Sequence, residues 1–316
     1  MLIYVQNWLR ELSVGGLVID LNNIKPNTVI VIAGPTASGK SALALDLAGS
    51  YNGVVINADA SQIYKTIPII SAAPSKEDKQ QVEHLLYEIF EPEKNGSVSE
   101  WLNLAVKAIK DSWKKGKLPI VVGGTGFYIE SLIKGVSPIP ETKVSVKEKV
   151  RIMLEKGGVS EIYEVLKKCD EGGASRVNPN DVTRVRRALE IFLDTGKSIN
   201  EWFDEPLINC LPEADFNTIV LLPQLSKLED KCSLRFDWMM QNGALLEVEA
   251  LKERELDKNL PVMKAIGVPE LIAYLNGECL LEDAVKQAKL HTRQYAKRQL
   301  TWFRNRLKNI AHLVIE

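Results

Sequence analysis

The residues best suited to chemistry lie in "TVIVIAGPTASGKSALALDLA", Thr28 to Ala48. Apolar residues lead into Gly34-Pro35-Thr36-Ala37-Ser38-Gly39-Lys40-Ser41, and an amphipathic run follows. A strand, a G-x-x-x-x-G-K-[ST] loop and a helix, in that order, make a phosphate cradle, or P-loop. Backbone N–H groups from Ala37 to Lys40 then converge on phosphate oxygens at a helix N-terminus. Lys40 neutralises the terminal phosphate, and Ser41 is placed to ligate Mg²⁺. The loop is silent about what carries the phosphates.

Two further turns are expected at the same rim. In "VVINADASQIY" a strand ends at Asp59, so a carboxylate faces the phosphate site if the strands are neighbours. Three roles remain open for it: capping the next turn, holding a magnesium-bound water, or taking a proton from an acceptor. In "LPIVVGGTGFYIESL" the pair Gly123-Gly124 follows a buried strand and Thr125 opens a helix. Its hydroxyl is placed for a phosphate or a base edge, or the segment is a bare strand-to-helix turn. The last motif is "HTRQYAKRQLTWFRNRLK", His291 to Lys308. There Arg293, Lys297 and Arg304 share one helical face with Tyr295, Trp302 and Phe303 close by. Basic groups among aromatics suit an RNA backbone or a cavity floor; an amphipathic helix packing its aromatics inward is the other reading.

These turns need strands to carry them. Strand character appears at Val29–Ala33, Val54–Asn57, Leu85–Phe90, Leu118–Val122, Asn217–Leu222 and His312–Ile315, with helical periodicity between. Alternation predicts a parallel sheet with right-handed crossovers, hence an α/β three-layer sandwich of P-loop NTPase type with ligands at the strand carboxyl ends. From about Pro140 to Pro212 only helical signals occur: Val144–Leu154, Val159–Lys168, and Asn180–Thr195 stopping at Gly196. The expected organisation is therefore an extension over 1–27, a core over 28–140 and 213–316, and an inserted all-helical lobe over 141–212.

Composition narrows the function class. The 316 residues include 45% apolar and 26% charged, the mix of an ordinary globule. No run approaches a membrane span, and the N-terminus lacks the features of a secretory or transit signal. Cys169, Cys210, Cys232 and Cys279 have no C-x-x-C spacing, so neither a metal clip nor a disulfide framework is expected, and a reducing cytoplasm fits. Net charge is −1, yet the eight Lys and Arg between Lys286 and Lys308 come with no acid, and Arg184, Arg186 and Arg187 form a second knot. Such local concentration suggests a defined anionic partner.

Taken together, the sequence resembles the tRNA dimethylallyltransferase (tRNA isopentenyltransferase) family from about Val29 to Ile310. "GPTASGKS" resembles that family's loop variant. "NPNDVTRVRRALEIFLDTGKS" (Asn178–Ser198) and "TRQYAKRQLTWFR" (Thr292–Arg304) are more specific, and "RFDWMMQNGALLEV" and "KAIGVPEL" occupy the expected places. The resemblance implies transfer of a dimethylallyl group from its diphosphate to N6 of adenosine 37 of tRNA, with Mg²⁺ as cofactor and a cytoplasmic monomer as the working form. It implies that Asp59 is the base for the N6 proton and that Thr125 sits near the target base. Lys40 and Arg235 would contact the diphosphate. Contacts to tRNA are implied for Asp59, Ala60, Ser61, Gln62, Thr125 and Lys147; for Arg186, Arg187, Ala188, Leu189 and Glu190; and for Lys264, Ala265, Ile266, Gly267, Val268 and Pro269. The lobe would hold the anticodon stem. The chain departs from the family's usual residues at Ala60-Ser61, at Ser71-Ala72-Ala73 and at Val268-Pro269, where cations are lost.

Three other functions share parts of this pattern. An adenylate isopentenyltransferase acts on free nucleotides and needs neither the lobe nor the basic C-terminal helix. A small-metabolite kinase would transfer phosphate from ATP. A catalytically weakened tRNA-binding homologue would keep the basic segments alone.

Overall fold

The computed structural model describes residues 24–307 and 313–315 of the chain. Most of the expected extension over 1–27, along with His312 and Lys308, lies outside the described residues. The strands are β1 (Thr28–Ala33), β2 (Gly53–Asn57), β3 (His84–Leu85), β4 (Leu118–Gly123), β5 (Asp215–Leu221) and β6 (Leu313–Ile315). They form one sheet in the order β3-β2-β4-β1-β5-β6, and every pairing is parallel. The helices that accompany them are α1 (Lys40–Ser50), α2 (Lys76–Gln81), α3 (Val98–Lys114) and α4 (Gly126–Lys134). After the insertion come α9 (Leu225–Gln241), α10 (Ala244–Lys252), α11 (Val268–Leu275) and α12 (Leu281–Arg306).

Sheet order explains the layers. The crossover β1–α1–β2 runs toward one edge, and β3–α3–β4 runs back, so right-handed connections put α1 and α3 on opposite faces. Side chains alternate accordingly. Ile30, Ile32, Val55, Ile120, Val122, Ile219 and Leu221 pack with Ala44, Leu47 and Ala48 of α1. The intervening Val29, Val31, Val54, Ile56 and Val121 are equally buried, and α3 contributes Trp101, Leu102, Ala105 and Ile109. Each such aliphatic side chain contributes about 1.5–3 kcal/mol by leaving water. β1 sits between β4 and β5, so the ends of β1, β4 and β2 lie side by side at the carboxyl rim.

A six-residue strand is expected at Leu85–Phe90, and this is corrected. Pairing stops at Val55–His84 and Ile56–Leu85. Leu86 and Glu88 then turn left-handed (φ 64° and 52°), a conformation uncommon without glycine. The backbone pairs instead with the loop after Asp59: Glu88 N donates to Gln62 O at 3.0 Å and Phe90 N to Ile63 O at 2.9 Å. The extended apolar run is paired by this loop-to-loop ladder rather than by the sheet edge.

The insertion forms its own compact unit over Lys134–Asn209, starting before residue 141 and ending before residue 212. It contains α5 (Val144–Cys169), α6 (Glu171–Ser175), α7 (Val182–Thr195) and α8 (Ile199–Asp204). Gly158 (φ 71°) breaks α5 into the two periodic stretches read from the sequence. Asp181 caps α7 by accepting from Arg184 N at 3.1 Å, and Gly196 ends it in the left-handed conformation. Val150, Ile162, Leu166, Val185, Ala188 and Leu189 make its core.

Candidate active site

The phosphate loop follows β1 and ends at the N-terminus of α1, which has no side-chain cap. Its N–H groups are thus available to an anion, and the helix dipole favours one. Ala37 (φ 60°) and Gly39 (φ 94°) take left-handed conformations that turn successive amides toward one point. Ser38 Oγ is buried there with no hydrogen-bond partner. Lys40 Nζ donates to Pro35 O at 2.6 Å, and Arg235, from α9, donates to Thr36 Oγ1. Burial lowers Lys40 to a pKa of about 8, partly offset by the Asp59 charge and reinforced by Arg235. Burial also lowers Arg235 below its ordinary value. Two partly buried cations with few partners form a strong receptor for a polyanion.

Asp59 stands on the opposite wall of the same cavity, which measures about 830 Å³. The buried Asn57 at the end of β2 fixes it: Asn57 Oδ1 accepts from Asp59 N at 2.7 Å, and Asn57 Nδ2 donates to Leu86 O and to Asp59 O at 3.0 Å each. Ser61 then donates twice to Asp59 Oδ1, from N at 3.0 Å and from Oγ at 2.7 Å. Oδ1 is thereby satisfied locally, and Oδ2 is the oxygen left to act. Thr125 belongs to the same rim. Its N donates to Ala58 O at 3.2 Å and its Oγ1 accepts from Ala60 N at 2.9 Å. These ties join the β2 and β4 turns into one surface facing the phosphate loop.

Gln299 couples the phosphate loop to the β4 turn; it lies within the quoted Thr292–Arg304 motif, but the sequence alone assigns it no role. Buried on α12, it accepts from Thr36 N at 2.9 Å and donates to Gly124 O at 2.8 Å. A Cβ on Gly124 would come within 2.5 Å of Gln299 Nε2 and 3.1 Å of Asp59 Oδ2, so only glycine permits this approach. Tyr295, one turn earlier, lines the cavity; burial raises its phenol, with the Asp59 charge adding and Arg298 and Gln299 opposing. Gln299→Leu leaves Thr36 N and Gly124 O unsatisfied, a loss of about 1–3 kcal/mol per buried group. The expected result is a lower melting temperature and a several-fold higher KM for the diphosphate substrate, measured by thermal unfolding and steady-state kinetics.

The remaining anticipated contact residues divide by burial. Ala60, Ser61, Gln62, Lys264, Ala265 and Ile266 line the cavity. Gln62 is turned inward, donating to Ser71 O and Ala72 O at 3.0 and 2.7 Å. Gly267 and Val268 are buried, while Pro269 is exposed at the start of α11, where Glu270 caps by accepting from Gly267 N at 2.8 Å. Gly267 and Val268 pack the helix start. In the helical unit, Arg186 is exposed, and Arg187 donates to Thr142 Oγ1 at 2.7 Å. Lys147 lies 3.5 Å from Glu141. Ala188 and Leu189 are fully buried in that unit's core, and Glu190 is buried against Arg186. Helical periodicity from Val185 already assigns this stripe to the core. Of the basic face on α12, Lys297 and Arg304 are exposed, whereas Phe303 is fully buried and Arg293 partly so.

Fold and site together define a phosphate-cradle transferase whose cavity holds one carboxylate opposite an anion receptor. The chain belongs to the IPP transferase family, whose family model matches residues 62–306. It is 41% identical over 288 residues to the tRNA dimethylallyltransferase of Rickettsia massiliae (strain Mtu5), covering 91% of this chain and 79% of the relative. To that of Rhodopseudomonas palustris (strain BisB18) it is 44% identical over 278 residues, 88% of each. Among solved structures, a eukaryotic dimethylallyltransferase acting on tRNA aligns with TM-score 0.75 and 34% identity over 88% of this chain and 70% of that one. The full-length tRNA isopentenylpyrophosphate transferase of Bacillus halodurans aligns with TM-score 0.64 and 32% identity, over 92% and 89%.

Proposed function

We propose that this chain transfers a dimethylallyl group from dimethylallyl diphosphate to N6 of adenosine 37 in tRNA. The observation that carries this reading is the Asp59 carboxylate lining the same cavity as the phosphate loop, in a chain of this family. An exocyclic adenine amine is a poor nucleophile because its lone pair is delocalised into the ring. As N6 bonds to C1 of the prenyl group, Asp59 Oδ2 takes the amine proton. The C1–O bond breaks and its electron pair leaves with the diphosphate. Lys40, Arg235 and the loop amides oppose the charge that gathers there. The adenine must leave the anticodon-loop stack, costing a few kcal/mol, which the basic segments offset. Thr125 and the Ala60–Gln62 turn would flank the base, and Arg184, Arg186, Arg187 and Lys147 would grip the anticodon stem.

Mg²⁺ suits the residues present. Ser41 offers a hydroxyl on the cavity wall, and no cluster of three His, Cys, Asp or Glu occurs among the described residues. That pattern fits a hard cation that arrives on the diphosphate and keeps most of its water. When bound it would neutralise part of the diphosphate charge. No helix among the described residues is long and apolar enough to cross a membrane. Four free cysteines suit a reducing cytoplasm, and a monomer is the form proposed.

The test is incubation with unmodified tRNA and dimethylallyl diphosphate, or separately with ATP, followed by mass analysis of the nucleosides. Prenylated adenosine with the first donor alone is the expected product. Phosphate transfer from ATP, or prenylation of free AMP in preference to tRNA, overturns the reading. The affinity for tRNA should fall steeply with salt, with a log–log slope of about −0.7 per phosphate contacted; a flat response would point to a free nucleotide as acceptor.

A further inference from the structure

The cavity has an apolar end whose position is set by α9. Cys232 and Arg235 line the cavity beside the phosphate loop, where Arg235 donates to Thr36 and its charge acts on Lys40. Phe236 and Met239 follow each of them by four residues on the same cavity-lining face. One helical turn at 1.5 Å per residue places them about 6 Å farther along the axis. Both are only 3% exposed. Ile70 closes the wall from the loop after Gln62. A Cβ built on Gly267 would lie 2.9 Å from Ile70 Cδ1 and 3.2 Å from Phe236 Cε2, so this glycine is packed flush behind both. With φ at +102°, Gly267 cannot easily be replaced.

The wall is also held from behind. Ile69 N and Ile70 N donate to the two oxygens of Glu247 at 2.8 and 3.0 Å. Gln62 Nε2 ties down the carbonyls of Ser71 and Ala72 from the other side. A wall anchored at four backbone groups does not yield to a longer ligand. The main chain of a dimethylallyl group spans three carbon–carbon bonds, on the order of 4 Å with bonds near 1.5 Å. A ten-carbon chain needs about twice that length, more than the one helical turn that separates Cys232 and Arg235 from Phe236 and Met239.

We propose that Ile70, Phe236 and Met239 form an end stop that restricts the prenyl donor to five carbons. The proposal deepens the prenyl-transfer reading and rests on it. The experiment supplies dimethylallyl diphosphate and geranyl diphosphate in parallel to the wild-type protein, Phe236→Ala, Met239→Ala and Ile70→Ala, with tRNA as acceptor. Mass analysis gives the ratio of geranylated to dimethylallylated adenosine, and calorimetry gives the dissociation constant of each diphosphate. For the wild type the expected results are a transfer ratio below about one in a hundred and at least tenfold weaker geranyl binding. Phe236→Ala and at least one other variant should raise the ratio tenfold or more, whatever happens to the absolute rate.

Wild-type protein that binds or transfers both donors equally overturns the end stop. So does an unchanged ratio in all three variants. Absence of any prenylated product from the wild type would remove the transfer reading. The calorimetric comparison would still judge the end stop by itself, since it needs no turnover and no variant.

Discussion

Asp59→Asn lowers kcat for prenyl transfer by about 10²–10⁴-fold, the range for losing a positioned general base, while tRNA and diphosphate bind within a few-fold of normal. Asparagine keeps an acceptor oxygen for the two Ser61 bonds, and the turn set by Asn57 uses only the main chain of residue 59, so the rim stays in place. What is lost is an oxygen able to hold the N6 proton. Single-turnover kinetics with both substrates bound, alongside filter binding of tRNA, separates the two effects. Turnover within threefold of wild type would strip Asp59 of its role as base and leave it a structural cap.

Lys40→Met lowers kcat by about 10²–10³-fold, as expected when one donor to a developing oxyanion is removed. Methionine is of similar length and carries no charge to bury, so the loss reads on the reaction and not on folding. The wild-type pH profile gives a second measurement on the same group. Lys40 has a pKa of about 8, below its ordinary 10.5, chiefly through burial. Below pH 8 it is charged and the diphosphate affinity is constant. Above pH 8 the free protein loses the ammonium, and the dissociation constant rises about tenfold per unit for a ligand that requires it. The Lys40→Met variant should show no such rise between pH 8 and 9.5. Isothermal titration at four pH values would decide this, and a rise shared by the variant would assign the titration elsewhere.

Where chemistry follows directly from local pattern, the sequence was legible. The run into Gly34–Ser41 and the strand ends at Asp59 and Gly123-Gly124-Thr125 each carry their own context, and the sheet brings them to adjacent ends of β1, β2 and β4. What resists reading is whatever depends on partners distant in sequence. Leu85–Phe90 is an apolar run with strand character, but its ladder is made with the loop at Gln62–Ile63. Gln299 sits among basic and aromatic residues of the Thr292–Arg304 motif, and nothing local gives it a role. Its function exists only through Thr36 and Gly124. Phe236 reads as one more apolar residue of an amphipathic helix until Gly267 and Ile70 are seen behind it. At Ala188, Leu189 and Glu190 the three-and-four spacing of α7 buries the side chains, a placement that follows from local periodicity.

The bond from Thr36 to Gln299 spans 263 residues. A ribosome adding about 5–20 residues per second needs on the order of 10–50 s to travel that far. Throughout that interval the glycine-rich turn is already made but lacks the clamp that holds it opposite the carboxylate. A growing chain therefore gains its working geometry only when its last long helix docks, and a message cut short before that helix yields a protein that can fold much of its sheet yet cannot hold the donor and the acceptor in register.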